Sequence, residues 1–334
     1  MSLNRRTLGA LALGLLATAA PVATGRQALA QGADSYPGSR AVTLVVAWAP
    51  GGSTDFVARV IAQQLSKELN GNVVVDNRPG ASGTIGHASV ARARPDGYTL
   101  LLGVNSTYAM SRHLFPNRGY DDDKGFVGIG RIAISPIFLC VNPKLGVQDI
   151  AGLVAKAKAA PGKLSYASSG AGSSAHLASE LFLRSAGINV QNVTYRGGAP
   201  AVQALITGEV EMAFVDAVTA LPLMADRQIQ ALGVSTLERN PLAPQVPTIA
   251  ESGFPGFEAT SDFALLAPAG TPEPIRRKLA EGLAATMRNP EVIERLRQNA
   301  IIPTPGTPEE FPAYLAAESG KWGELIKSRG ITLE

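Results

Sequence analysis

Short apolar and β-branched runs alternate with stretches of helical periodicity along this chain, and the alternation restricts its fold more than any other feature. Residues 42–48 form a continuous apolar run, which is typical of a strand buried on both faces. Residues 54–69 follow, and they place Val57, Ile61 and Leu65 on one face of a helix. Strands that alternate with helices pack as parallel sheets covered by helices. We therefore predict an α/β fold.

The same reading extends to the end of the chain. It predicts strands at residues 42–48, 73–75, 98–102, 137–141, 164–168, 192–195, 211–215, 230–234 and 262–267. It predicts helices at residues 54–69, 84–93, 147–159, 174–186, 199–207, 272–288, 291–299 and 308–328.

Chain length predicts two lobes, because 334 residues exceed what one hydrophobic core usually organises. One strand–helix set ends near residue 135 and a second ends near residue 261. The last strand is followed only by helices, which cannot form a sheet alone. We therefore expect residues 262–334 to return to the first lobe. The predicted lobes are 31–135 plus 262–334, and 136–261.

Residues 1–30 have the features of a secretory signal peptide. They contain three arginines and no acid, a 13-residue apolar run from Leu8 to Ala20, and a small-residue site at 28–30. The run is short for a membrane span, which needs about 20 residues, so a membrane anchor is the weaker alternative. We expect cleavage after Ala30 and export to the periplasm. The Arg5-Arg6 pair leaves the Sec and twin-arginine routes both open.

The formal charge of +3 comes from 30 basic and 27 acidic residues, and the surplus equals the three arginines of residues 1–30. The remaining chain is formally neutral, which gives no indication of nucleic acid or an anionic membrane as partner. Cys140 is the single cysteine, so no intrachain disulfide is expected. It lies in an apolar run, where a packed core thiol is the expected role.

Two segments share one design: a strand, a Gly/Ser turn and the start of a helix. The first Gly/Ser turn is residues 49–55 and the second is residues 168–174. Helix N-termini present free N–H groups and a positive dipole end, and glycines let a ligand approach the backbone. The alternative is that these hydroxyls only cap their helices. Two such turns in different lobes favour an anion site in a cleft between the lobes.

Other site types have weaker support. Gly170, Gly172 and Ala175 match a loose dinucleotide fingerprint, but residues 189–192 lack the acid that it requires. The chain contains no P-loop, nucleophile-elbow or zinc-protease string. Its three histidines lack metal-ligand spacing, and no nucleophile–base set can be assembled. We therefore expect no enzyme activity, no metal and no cofactor. His176 is a candidate ligand donor or a helix-packing residue.

Eight segments of the chain form a recognisable set: 49–55 (APGGSTD), 76–81 (DNRPGA), 93–103 (ARPDGYTLLLG), 161–170 (PGKLSYASSG), 195–197 (YRG), 221–222 (LP), 246–248 (VPT) and 266–272 (LAPAGTP). They cover nearly all of the chain that follows residue 30. In order and spacing they closely resemble the Bug (TctC-like) family of substrate-binding proteins of tripartite tricarboxylate transporters.

The resemblance implies a periplasmic-binding-protein-like fold of type II, with two lobes and a ligand cleft between them. It implies that the two Gly/Ser turns hold the ligand's carboxylate. The residues carried over as cleft-lining are Pro50, Gly51, Gly52, Ser53, Thr54, Asn105, Ser106, Thr107, Ser168, Ser169, Gly170, Ser173, Ser174 and Tyr195.

Three further positions stay open within the resemblance. Asp216 lies one residue late for the family's cleft aspartate, so ligand contact and a surface turn are both possible roles. Arg196 stands where lysine is common, as a carboxylate contact or a surface charge. Trp48 takes the place of a smaller aromatic residue, either as a wider cleft wall or as core packing.

We therefore expect a monomeric receptor for a small organic anion: an organic acid, an aromatic acid or an acidic amino acid. The resemblance implies a two-component integral membrane permease as partner. The alternative partner is the ectodomain of a sensor kinase, to which the liganded protein would dock without transport. Both roles use the same cleft, so the sequence does not separate them.

Overall fold

The protein is described by a computed structural model that covers residues 35–115, 118–121 and 123–331. The expected signal peptide and its cleavage site lie outside these residues. Within them, no helix is both long and apolar enough to cross a membrane.

Strands and helices alternate as the sequence predicts. The strands are β1 (Val42–Val46), β2 (Val73–Asn77), β3 (Thr99–Val104), β4 (Phe126–Val141), β5 (Ser165–Ser168), β6 (Gln191–Thr194), β7 (Met212–Asp216), β8 (Gln230–Val234), β9 (Thr260–Pro268) and β10 (Ile302–Gly306). The helices are α1 (Ser53–Glu68), α2 (Thr84–Ala91), α3 (Ile150–Ala159), α4 (Ser174–Ala186), α5 (Gly198–Thr207), α6 (Ala217–Ala225), α7 (Glu273–Arg288), α8 (Pro290–Arg297) and α9 (Phe311–Arg329).

The strands form two sheets that share the long strand β4. The first sheet has the order β2-β1-β3-β9-β4, with β10 also paired to β4. The second sheet joins the last residues of β4 to β7, β5 and β6, with β8 also paired to β4. Pairing is parallel among β1, β2 and β3 and among β5, β6 and β7, whereas β4 and β9 run antiparallel to their neighbours. The sheets are therefore mixed rather than purely parallel.

The sequence patterns do not predict the first half of β4, strand β10 or helix α6. The first half of β4 contains Gly128 and Gly130, which interrupt its apolar alternation. Strand β10 contains two prolines, which usually argue against a strand, but β10 pairs with β4 alone and so needs few N–H donors. Helix α6 contains Pro222 and begins directly after β7, without a loop to separate them.

Separate apolar clusters pack on the two sheets. Val57, Ile61 and Leu65 of α1 lie under the first sheet together with Leu279 and Leu283 of α7. Phe182 of α4 packs on Phe214 and Phe257 at the second sheet, where the rings lie edge-on at centroid distances of 6.3 and 6.4 Å. Cys140 is fully buried in β4, as predicted.

The chain passes between the sheets at β4 and again just before β9. Ser235, which is fully buried, connects these two passages. Its hydroxyl accepts a hydrogen bond from the Ile137 N–H at 3.0 Å and donates to the Ala259 carbonyl. The parallel pairing on either side of this crossing brings the ends of β1 and β3 to one edge, and those of β5 and β7 to another.

Candidate functional site

The first Gly/Ser turn leads from β1 into α1 without a side-chain cap. Gly51 has a φ of +95°, which favours glycine, and Gly52 is extended immediately before the helix. Gly52, which precedes the helix, has no side chain with which to cap it. The first N–H groups of this 16-residue helix therefore point into the space beyond β1, where an anion would be stabilised.

Asp55 stabilises this turn through hydrogen bonds. Its carboxylate accepts from the Gly51 N–H at 3.2 Å, from Asn77 at 3.0 Å and from Arg59 at 2.9 and 3.0 Å. Burial alone would raise the pKa of Asp55, but these hydrogen bonds and the Arg59 charge outweigh it and lower the pKa. The carboxylate is therefore ionised and already paired, so it holds the turn in shape.

The second Gly/Ser turn leads from β5 into α4 and is held by two side chains. The Ser173 hydroxyl caps α4 by accepting from the His176 N–H at 3.2 Å. His176 Nδ1 accepts from the Gly172 N–H at 2.9 Å. Gly170 and Gly172 have φ values of +140° and +78°, so the turn depends on glycine at both positions.

His176 is neutral in this arrangement. Burial lowers its pKa, although the nearby Glu180 raises it in part. Because Nδ1 accepts a hydrogen bond, the ring proton lies on Nε2. The ring stacks on Tyr166 at 6.3 Å, and Tyr166 donates to Glu180 at 2.7 Å. These contacts pack the ring against the second sheet, and donation to a ligand by Nε2 stays a prediction.

The segment after β3 joins the two sheets through Asn105, which is fully buried. Its side-chain N–H donates to the Thr260 carbonyl at 3.0 Å. Its oxygen accepts from the Asp262 N–H at 3.2 Å and from the Ser174 hydroxyl at 3.4 Å. Ser174 belongs to α4, so the bond crosses from the first sheet to the second Gly/Ser turn.

Asp216, at the end of β7, makes a second contact between the two sheets. Its carboxyl group accepts from the Ser261 hydroxyl at 3.3 Å, and the Ser53 hydroxyl of α1 lies close enough to lower its pKa. Burial raises the pKa of Asp216, and the two hydroxyls offset this only in part. The second sheet therefore contributes an acid beside the N-terminus of α1.

The second Gly/Ser turn faces Ser82 and Trp48, the residue just before the first turn, across a narrow gap, which we call the cleft. A Cβ added to Gly170 would lie 3.5 Å from Ser82 Oγ and 4.0 Å from Trp48 Cζ3. Trp48 Nε1 and Ser106 Oγ are shielded from solvent, and neither has a hydrogen-bond partner among the described residues. Both are donors without a described partner, and the ring of Trp48 lies beside the cleft.

Other predicted site residues are engaged elsewhere. The Ser168 hydroxyl lies 3.0 Å from Asn192 Oδ1 and 3.4 Å from Thr194 Oγ1 of the neighbouring strand. Tyr195 donates to Glu209 at 2.7 Å, and desolvation together with this bond raises its pKa to about 12. Arg196 is exposed, as are Pro50 and Gly51. Thr54 is buried, and Gly52 and Ser169 are half-buried.

Sequence reasoning missed Asp55, Asn77, Ser82 and Ser261. The string APGGSTD contains Asp55, and an acid in the first turn of a helix was the available signal. Ser82 and Ser261 had none, because each reaches the cleft through pairing between distant segments.

The volume of a cavity does not by itself identify the ligand site. A cavity of about 680 Å³ lies between α7 and the loop after β10, and its walls include Arg131, Arg276 and Glu310. It contains no residue of either Gly/Ser turn. Among the described residues, no group of acids, histidines and cysteine is arranged to hold a metal ion.

Comparisons with known proteins find a match over most of the chain. Residues 57–331 match the family described as "Tripartite tricarboxylate transporter family receptor". A UPF0065 protein from the tcbD-tcbE intergenic region of Pseudomonas sp. (strain P51) is 39% identical over 327 residues, which is 97% of this chain and 94% of that protein.

Two solved structures combine a similar fold with a ligand. R. palustris Rpa4515 with adipate has a TM-score of 0.85 and 36% identity, covering 89% of this chain and 100% of that one. MatC (Rpa3494) from Rhodopseudomonas palustris with bound malate has a TM-score of 0.80 and 32% identity, covering 86% and 99%.

Proposed function

This chain belongs to the tripartite tricarboxylate transporter receptor family, and from that premise we propose that it captures a small carboxylate in its cleft for delivery to a two-component membrane permease. Membership confirms the Bug (TctC-like) resemblance and the periplasmic-binding-protein-like fold. Proteins of this family are periplasmic, and they bind substrates without catalysing a reaction. The ligand, the permease and the cleavage after Ala30 are the proposed parts.

The uncapped N-terminus of α1, opposite the second Gly/Ser turn, is the observation that carries the proposal. A negative charge at a helix start is stabilised by about 0.3–1 kcal/mol at exposed sites, and by more when it is partly buried. Ser53 is 2% exposed, so a carboxylate at this helix end is shielded from water. The relatives with adipate and with malate support a carboxylate as the ligand.

The proposed ligand-binding set keeps the residues carried over from the family. These are Trp48, Pro50, Gly51, Gly52, Ser53, Thr54, Asn105, Ser106, Ser168, Ser169, Gly170, Ser173, Ser174, His176, Tyr195 and Asp216. Within it, we assign direct contact to the α1 N-terminus, Trp48 and Ser106, whose donors are free. His176, Ser173 and Asn105 would shape the walls through bonds that they already make.

The two lobes remain a proposal with the predicted boundaries, 31–135 plus 262–334 and 136–261. Shared pairing of β4 by both sheets supports a crossing near residue 136. Helix α9 is assigned to the first lobe, but its residues Trp322 and Ile326 pack in the same cluster as Phe182 of α4, in the second lobe. The C-terminal helix would then contact both lobes.

Thermal unfolding with a panel of organic acids, aromatic acids and acidic amino acids tests the function. At 100 times Kd a ligand stabilises the folded state by about 2.7 kcal/mol, so a binding acid should raise Tm by several degrees. If neutral sugars or cations raised Tm and no carboxylate did, the proposal would be wrong.

Two substitutions at one position test the role of the α1 N-terminus. Ser53→Pro removes the first helical N–H, and proline is well tolerated there after an extended residue such as Gly52. Ser53→Ala removes the hydroxyl and keeps the N–H. We expect Ser53→Pro to lose most of the ligand-dependent rise in Tm. Equal losses in both variants would instead assign the effect to the hydroxyl.

A further inference from the structure

Exposed apolar side chains gather around one cavity that lies outside the cleft. Among the described residues, five large apolar side chains are exposed, and three of these, Leu237, Leu242 and Ile302, line this cavity. A single exposed leucine is ordinary, but a group of apolar side chains around a concavity is typical of a ligand site. The cavity has a volume of about 560 Å³, which is within the usual range for small-molecule sites.

The cavity lies where the chain crosses between the two sheets, and we call it the crossing cavity. Its lining includes residues 236–242, which follow Ser235, and residues 300–303 at the start of β10. Ile134 of β4 also lines the cavity, and it pairs with Ile302. No lining residue belongs to the proposed ligand-binding set. A molecule in the crossing cavity would therefore leave the cleft free.

One polar group of this lining has no partner in the fold. Asn240 lines the crossing cavity and is 2% exposed. Its Oδ1 accepts from the Leu242 N–H at 2.9 Å, and this bond fixes the orientation of the side-chain amide. Nδ2 is shielded from solvent and has no hydrogen-bond partner among the described residues. A buried amide donor without an acceptor is costly, so an acceptor oxygen beside Asn240 would be stabilised.

The charges in the lining favour an uncharged ligand. Three acids and two arginines line the crossing cavity, so neither sign dominates. Arg297 makes no ion pair with a described residue, but neither do Glu238 and Glu294. An ion of either sign would therefore meet repulsion as well as attraction, and it would lose water on entry. The apolar side chains and the Asn240 amide are the contacts that remain for a ligand.

We propose that the crossing cavity is a second binding site, which takes an uncharged apolar molecule that carries a carbonyl oxygen, such as an aromatic ketone or ester. The apolar side chains contact its ring, and the Asn240 amide donates to its oxygen. This site is separate from the cleft, so the inference does not depend on capture of a carboxylate, and the two can fail independently.

Fluorescence titration with prodan, an uncharged naphthalene ketone, tests the site. We expect saturable binding of one prodan per protein, with a blue shift of its emission as the ring leaves water. Leu242→Arg should weaken the affinity about tenfold or more, because it removes apolar contact and brings a charge to the rim. Val74→Arg, in the edge strand β2, is the matched control, since both side chains are 47% exposed. Equal affinities of these two variants, or binding that does not saturate, overturn the inference.

A substitution of Asn240 tests the contact to the carbonyl oxygen. Asn240→Asp keeps an acceptor for the Leu242 N–H and removes the side-chain N–H donor. We expect the affinity for prodan to fall about three- to tenfold. The affinity for N-phenyl-1-naphthylamine, which has a similar ring system without a carbonyl, should not fall. An equal fall for both probes, or no fall for prodan, would contradict the role of Asn240.

Discussion

At the scale of single residues, the cleft is built from side chains that hold backbone turns in place. Asp55 fixes Gly51, His176 fixes Gly172, and Asn105 connects β9 to α4. Asp55 and Asn105 use their side-chain oxygens within the protein, and His176 uses Nδ1. This leaves backbone N–H groups and a few side-chain donors for a ligand. The ionisable groups are therefore mostly structural, and their pKa values affect stability before they affect binding.

His176 should make folding stability depend on pH. Its folded pKa is lowered, so its contribution is present above the unfolded pKa of about 6.5 and is lost as pH falls below that value. We expect the free energy of unfolding to fall by up to about 1.4 kcal/mol per pH unit there. His87 adds an effect of the same sign, because burial lowers its pKa to about 3.

Urea unfolding at pH 7.5 and 5.0 isolates the share of His176. His176→Phe keeps the stacked ring but leaves the Gly172 N–H without an acceptor, which should cost about 1–3 kcal/mol at pH 7.5. His176→Asn places an oxygen near Nδ1 and should cost less. Both should be less pH-dependent than the wild type, and an unchanged dependence in both would contradict the assignment.

At the scale of elements, helix N-termini differ in how their free N–H groups are used. Helix α4 is capped by Ser173 and α3 by Asp149, which accepts from the Gly152 N–H at 2.7 Å. Helix α1 has no side-chain cap, although Asp55 stands in its first turn. The carboxylate of Asp55 is instead directed back to Gly51 and Arg59. The start of α1 is thus without a side-chain cap, where an anion could bind, whereas the start of α4 is capped.

A matched pair of substitutions distinguishes support of the first Gly/Ser turn by Asp55 from ordinary helix capping by Asp149. Asp149→Ala removes an exposed cap and should lower stability by about 1 kcal/mol with no effect on ligand affinity. Asp55→Ala should lower stability by about 1–3 kcal/mol and also weaken binding, because the first Gly/Ser turn loses its support. Urea unfolding and titration with an acid from the panel measure both. Equal affinity in the two variants would show that Asp55 does not shape the site.

At the scale of the whole molecule, the sheets are held together on both sides of the crossing. Ser235 joins the two chain passages, and Trp322 of α9, which is 1% exposed, packs with residues of the second sheet. Across the cleft, Ser53 meets Asp216, Asn105 meets Ser174, and Trp48 meets Gly170. These contacts bring residues of the two sheets together, and entry of the proposed ligand would require that they separate.

Hinge closure should be measurable by small-angle scattering. We expect the radius of gyration to fall when a binding acid is added, as the sheets close on it. Ser82→Trp places a large ring opposite Gly170 and should keep the cleft open, so that the ligand no longer compacts the protein. Ser185→Trp, on the exposed end of α4, is the control. Compaction of Ser82→Trp equal to the wild type would contradict this view of closure.

Many of the helices and strands could be predicted from the sequence, because hydrophobic periodicity is a local property. Helix α4 begins and ends at the predicted residues, and β5 and β8 differ by at most one residue. Strand β10 and helix α6 could not be recognised from the sequence, because each contains proline, which disfavours the interior of a strand or a helix. Pairing with β4 on one side makes the prolines of β10 acceptable, and that pairing is a tertiary fact.

The two Gly/Ser turns follow from sequence alone, since a strand, glycines and a helix start within seven residues specify a local anion site. Which hydroxyls remain free was decided by the tertiary structure. Ser168 finds Asn192 on the next strand, whereas Ser106 and Trp48 find no partner. Ser53 and Asp216 lie far apart in the chain and meet through the crossing of β4 and β9. Hydrogen-bond partners depend on such long-range register, and residue types and spacing do not encode it locally.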